Sequence, residues 1–208
     1  TGIALVLFLT FHMLMNLVAL FSAEGYNTVC EFLGTNWYAL IGTLALAALF
    51  VIHIVYAFWL TMLNRAARGN ERYAVSAKPK TVEWASQNML ALGVIVILGL
   101  LLHLFNFWYN MMFAELIGNP MMGGLEATDG YGYIVQTFSN PVFFVLYIVW
   151  LCALWFHLTH GFWSSMQTLG WNNTTWINRW KCISNIYSTI IVLGFMLVAV
   201  VFFVKNLF

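Results

Sequence analysis

The chain has 208 residues, of which 62% are hydrophobic and 7% charged. A water-soluble domain carries about 25% charged residues, so the composition excludes an ordinary soluble globule and points to a bilayer. The net charge of +1 offers no electrostatic footprint for nucleic acid.

Thr1 opens directly inside an apolar run, for which processing or missing preceding residues are the expected reason. The run has no basic n-region and contains His12, so it reads poorly as a secretion signal. No Asp, Glu, Lys or Arg occurs in 1–23, 32–64, 84–114, 130–178 or 182–204. A spanning helix needs roughly 20 apolar residues, and each of these tracts can hold one. The pattern predicts an all-α integral membrane protein, a single domain over 1–208. It has five transmembrane helices, near 1–22, 37–64, 85–110, 140–168 and 183–206, and the first four form a bundle. The fifth, rich in Val, Ile, Leu and Phe, reads as a lipid-facing or packing helix.

The connections alternate in sign. Arg65, Arg68, Arg72, Lys78 and Lys80 fall between helices two and three, and Arg179 and Lys181 between four and five. The other two connections hold Glu24, Glu31, Glu115, Glu126 and Asp129 without a Lys or Arg. The positive-inside rule puts the basic loops in the cytoplasm. The N-terminus is then cytoplasmic and the C-terminus, with Lys205, outside. The outer loop at 111–139, with its four methionines and Pro120, is expected along the membrane surface or over the bundle's end.

His12, His53, His103 and His157 lie one in each of the first four apolar runs, with His160 just beyond the last. An ionisable side chain at membrane depth is costly and usually faces the bundle interior. One such residue is most simply a helix-to-helix hydrogen bonder. Four on separate helices fit axial ligation of two b-type haems between the helices. Helices one and three run outward and two and four inward, and each histidine falls past the middle of its run. Equal depth pairs His12 with His103 on the outer side and His53 with His157 on the inner. His160 is less than a turn from His157, so only one of them can face a given iron. His157 is favoured, leaving His160 to bond a propionate or a neighbouring helix.

Gly99 and Gly161 each lie four residues from a ligand, where small side chains let a macrocycle edge approach, or simply let helices pack. Phe105, Trp108, Trp155 and Trp163 are expected to fill the surroundings. Cys30, Cys152 and Cys182 form no C-x-x-C, which excludes covalent haem attachment and speaks against an iron–sulfur site in this chain. Cys152 and Cys182 read as packing residues.

Trp155-Phe-His-Leu-Thr-His-Gly-Phe-Trp-Ser-Ser-Met-Gln-Thr-Leu-Gly170 resembles the fourth-helix signature of the dihaem cytochrome b anchor of succinate dehydrogenases and fumarate reductases (complex II). The likeness is to the single-subunit, five-helix kind of menaquinone-using bacteria. Phe11-His-Met-Leu-Met-Asn16, Ile52-His-Ile-Val-Tyr56 with Asn64-Arg-Ala-Ala-Arg68, and Leu102-His-Leu-Phe-Asn106 are similar to its other ligand segments. The resemblance implies a respiratory-chain subunit in the bacterial inner membrane, with His12, His53, His103 and His157 on two haem b groups. It also implies a flavoprotein subunit with FAD and an iron–sulfur subunit on the cytoplasmic face, where the basic second loop, Asn64 to Glu83, offers a docking surface. Dicarboxylate chemistry of the tricarboxylic acid cycle would belong to those partners. Some such fumarate reductases carry a glutamate two residues before the fourth ligand. Trp155 stands there, so no carboxylate relay is implied at that place.

Quinone exchange needs polar groups near a haem edge and a proton route to water. Asn16, one turn outward of His12, Asn106, three residues outward of His103, and Glu31 are the candidates, although each can also cap a helix or bond a neighbour. The implied menaquinone site is on the outer side too. The rival readings are a cytochrome b partner of another quinone-linked dehydrogenase, a histidine-relay transporter, and a structural anchor without haem. The relay reading lacks an intramembrane carboxylate and has no proline in the first three runs.

Overall fold

The computed structural model describes residues 1–68 and 83–208, and all regular structure among them is helical. Among the described residues, four helices are long and apolar enough to cross a membrane, Trp37–Ala67, Met89–Leu116, Pro141–Thr168 and Trp176–Lys205. The chain is therefore a multi-pass membrane protein. The first predicted helix is α1 (Gly2–Val18), apolar but shorter than these. α3 (Trp37–Arg68) outruns its predicted end at 64 because Ala66 and Ala67 continue the helix past the first arginine. Arg72, Lys78 and Lys80, and with them much of the basic connection, lie outside the described residues.

Caps set the remaining boundaries. Asn140 accepts from the Val142 N–H and Pro141 takes the first position of α8 (Pro141–Thr168), a strong start signal. α9 (Trp176–Lys205) begins well ahead of the predicted 183. Asn173 Oδ1 accepts from the Thr175 and Trp176 N–H groups at 3.0 and 2.9 Å, so the helix starts at its cap and carries Arg179 and Lys181 in its first turns. Two helices were not predicted. α2 (Ala23–Thr35) is capped by Ser22, whose Oγ accepts from Gly25 N at 2.9 Å, and α7 (Gly130–Ser139) by Asp129.

The third predicted span begins with the short α4 (Trp84–Gln87), runs through α5 (Met89–His103) and then widens. Leu104–Phe113 is π-helical before α6 (Ala114–Leu116) closes the span. Asn110 Nδ2 donates to the Phe105 and Asn106 carbonyls at 3.0 and 3.2 Å, giving the widened turns a side-chain partner.

α8 lies at the centre, packed on α9, α5, α1, α7 and α4. One cluster joins Val6 and Met13 of α1, Leu151, Leu154 and Leu158 of α8, and Ile191 and Val192 of α9. A second, at the α2–α7 end, joins Tyr26, Ile134, Phe138, Tyr147 and Phe202. α9 is thus a packing helix. Ser184 and Ser188 are fully buried, and Ser184 Oγ donates to the Thr159 carbonyl at 2.8 Å. α3 takes a different place from the other long helices: it packs on α1 and α2, and none of its most apolar stretch is buried.

Candidate functional site: two histidine pairs

An imidazole in an apolar helix is held by its rotamer and its neighbours. Here the neighbours are other imidazoles. His12 of α1 faces His103 at the end of α5, with ring centroids 5.7 Å apart and planes at 84°. His53 of α3 faces His157 of α8 at 6.2 Å and 71°. All four rings are half-buried, and each pair joins two different helices.

The surroundings of the pairs differ. Phe8 stacks on His12 at 5.4 Å and Phe195 lies 5.6 Å away. Phe107, Trp150 and Tyr147 stand at 5.1, 5.7 and 6.3 Å from His103. The aromatics expected from sequence are engaged elsewhere. Phe105 is 61% exposed and stacks on Tyr109, Trp155 donates to Thr189 Oγ1, and Trp163 lies under the Lys181 ammonium. Trp108 carries a buried indole N–H without a hydrogen-bond partner.

Around the other pair, His53 Nδ1 lies 3.3 Å from Thr1 Oγ1, which leaves its second ring nitrogen for another partner. His157 Nδ1 is buried and has no hydrogen-bond partner. A Cβ added at Gly161 would meet only His157 Cδ2, at 4.0 Å, so the face beside this ring has room. Gly99 is different. A Cβ there would collide with the indole of Trp150, whose Nε1 donates to the Val96 carbonyl at 3.0 Å, so the space Gly99 provides is filled by α8.

His160 turns away from both pairs. Its Nδ1 is 3.7 Å from Glu83 Oε2, and Lys181 Nζ is 2.9 Å from Glu83 Oε1, so one carboxylate ties the start of the third span to α8 and α9. Partial burial pushes the Glu83 carboxyl up, but the hydrogen bond and charge of Lys181 more than reverse this and hold it below its usual value. A carboxyl whose folded pKa is depressed contributes stability above its unfolded pKa and loses it as pH falls through the folded one. Glu83 is 38% exposed, so solvent screening keeps the contribution small. Glu83→Gln is expected to cost under about 1 kcal/mol at pH 7. In melting curves the difference from the unaltered protein should be full at pH 7, shrink as pH falls below the reference carboxyl pKa of about 4.3, and be gone only at an acid pH under the depressed folded value. An equal difference at both pH values would remove the ion pair from the account.

The three residues considered for quinone divide between two places. Asn16 is next to His12: its Nδ2 donates to the His12 carbonyl at 2.8 Å and lies 3.5 Å from Nε2. Asn106, buried in the π-helical stretch, donates to Tyr147 Oη at 3.4 Å, and Tyr147 in turn borders His103. Glu31 stands apart, exposed on α2, and lines an open cleft of about 590 Å³ with Glu24, Glu126 and Asp129. Asp129 is used structurally, accepting from Asn27 Nδ2 and Gly132 N at 2.8 and 2.9 Å.

Sequence reasoning missed Tyr26, Tyr147 and Trp150. Tyr26 Oη donates to Asn16 Oδ1 at 3.2 Å across the α1–α2 turn. The cap at Ser22 signals the helix that carries Tyr26, but no local pattern signals the bond. Cys152 and Cys182, expected in packing, are exposed on the helix exteriors, whereas Cys30 packs under Gly130. Burial pushes the Cys30 thiol up to about 11, so it is a neutral packing group rather than a reactive thiolate.

Chemically, each pair brings the nitrogen-bearing rings of two helices to contact distance inside an apolar setting. No family model, curated protein or solved structure matches the chain.

Proposed function

We propose that this chain is a dihaem cytochrome b that anchors a succinate dehydrogenase or fumarate reductase in the bacterial inner membrane. It passes electrons between an iron–sulfur subunit and the quinone pool. The observation that supports the reading best is that four helices supply two imidazole pairs at ligating separation. A metal–imidazole bond of about 2.0–2.1 Å, plus roughly 1.2 Å from nitrogen to ring centre, each taken twice, sums to about 6.4 Å. The pairs, at 5.7 and 6.2 Å, fall within an ångström of this.

The residues fit the group. His157 has an orphaned ring nitrogen and open room at Gly161, and His53 has a hydroxyl beside Nδ1 of the kind that fixes a metal-bound imidazole. Bound there, haem supplies one-electron redox chemistry. His12 and His103 hold one group, and His53 and His157 the other. Phe8, Phe107, Trp150 and Phe195 keep water from the first pair. His160 serves the Glu83 and Lys181 contact.

In this reading α1 is the fifth span, the N-terminus is cytoplasmic, and the His12 pair lies toward the outside. The flavoprotein and iron–sulfur subunits dock on the cytoplasmic face, at the basic connection and at Arg179 and Lys181. Menaquinone is exchanged near the outer pair, where Asn106 and Asn16 are the closest amides, and Glu31, apart from the pair on exposed α2, exchanges the protons with water. An electron crossing the bilayer exchanges about 2.3 kcal/mol with each 100 mV of potential, so the two pairs connect quinone chemistry to the membrane potential.

A reduced-minus-oxidised spectrum with a pyridine haemochrome assay tests the reading. Two protohaems per chain are expected; none would leave a histidine relay or a bare anchor. Glu31→Gln is expected to slow quinone turnover by about 100-fold or more, the lower end of what a lost proton-transfer group costs, with both haem spectra intact. Unchanged turnover would take Glu31 off the proton route.

A further inference from the structure

The His12 pair is linked to parts of the fold that touch neither histidine. Asn16 contacts His12 twice through Nδ2, at 2.8 Å to the carbonyl and 3.5 Å to Nε2. Its other end, Oδ1, accepts from Tyr26 Oη at 3.2 Å. This bond ties the Asn16 side chain to an element other than α1. Tyr26 itself has little freedom. It is 8% exposed and belongs to the cluster of Ile134, Phe138, Tyr147 and Phe202, and a Cβ at Gly130 would stand 3.1 Å from its ring. The Ser22 cap fixes the start of the helix that carries it.

An amide has a positive end at its N–H groups and a negative end at its oxygen. Tyr26 holds the oxygen away from His12, so the positive end faces the imidazole. A positive pole beside a redox centre favours its reduced form, and such outer-shell partners tune a metal as ligands do. We infer that Tyr26 is a positioning residue: it keeps the Asn16 amide nitrogen against His12 and so raises the reduction potential of the centre held by His12 and His103. The inference rests on the dihaem reading and deepens it.

Potentiometric titration of the purified, haem-loaded full chain, followed in the haem absorption, provides the test. The centre missing from a His12→Ala variant identifies the relevant potential. Tyr26→Phe keeps the ring and removes the hydroxyl. It is expected to retain two haems and to lower that potential alone, by up to the 59 mV that corresponds to tenfold for one electron. Asn16→Leu, close in shape, should lower the same potential at least as far, and Tyr26→Phe should add nothing on top of it. Two retained haems with both potentials unchanged in Tyr26→Phe would overturn the inference, as would equal shifts with and without Asn16. No haem in the unaltered chain would overturn the dihaem reading first, and this inference with it.

Discussion

Alanine at His12 or at His103 is expected to abolish the same one of two low-spin haem signals, and alanine at His53 or His157 the other. If the pairs hold haem as proposed, the loss would be all-or-none for a centre, because a low-spin iron would need both of its imidazoles. A single remaining imidazole leaves the centre high-spin or empty. The pairing follows from ring separations of 5.7 Å for His12 with His103 and 6.2 Å for His53 with His157. His160→Ala should leave both signals, since its ring faces Glu83 and Trp163. Low-temperature spectra or paramagnetic resonance of the five variants check this directly. If His12→Ala and His53→Ala removed the same signal, the pairs would be wrongly drawn. If all five kept both, the imidazoles would not be ligands.

The facing of the histidines was legible because it depends on two countable things. An ionisable residue inside a charge-free run has few reasons to be there, and depth along a helix advances about 1.5 Å per residue. Four positions on four runs of expected alternating direction therefore sort into two levels without any knowledge of side-chain packing. The aromatic shell was not legible by the same count. Phe107, not Phe105, approaches His103, because a residue four positions on shares a helix face while one two positions on points the other way, a distinction that depth alone does not make. Asn106, three residues outward of His103 and so on the same face, is buried against the Tyr147 that borders that histidine.

The connections between spans hid more than the spans did. α2 and α7 are short, and their buried faces read as mixed polar sequence, yet they carry Tyr26 and Tyr133 into the core. Ser22 and Asp129 are cap residues whose signal precedes both helices. What no cap shows is a long-range partner, such as Asn27 with Asp129 or Tyr26 with Asn16. The packing role of α9 had a visible sign in Ser184, Ser188 and Gly194, small residues where helices in lipid approach closely. A hydropathy reading weighs them as gaps in an apolar run rather than as its contact face.

Gly99→Ala is expected to destabilise the protein although alanine is the better helix former. Gly to Ala in a helix interior gains about 0.8–1.0 kcal/mol in propensity. Against this, the new Cβ would overlap Trp150 at Cδ1, Cγ and Nε1. Cγ lies near the root of the side chain, so a swing of the ring tip does not relieve the overlap, and either α5 and α8 separate or the indole leaves its rotamer. Overpacking of this kind costs about 1–3 kcal/mol, and the Trp150 hydrogen bond to the Val96 carbonyl is lost with it, worth about 0.5–1.5 kcal/mol. The clash therefore outweighs the propensity gain. The displaced indole also borders His103 at 5.7 Å, so the spectrum of the His12–His103 centre should shift while the other centre keeps its own. Trp150→Ala alone is expected to cost about 3–5 kcal/mol. In that background the three atoms nearest the new methyl are gone, and Gly99→Ala should turn stabilising by up to about 1 kcal/mol. Unfolding measured in mixed micelles across the four proteins reads this change of sign. Should Gly99→Ala destabilise by the same amount with and without the indole, the contact between Gly99 and Trp150 would not be what keeps α5 against α8.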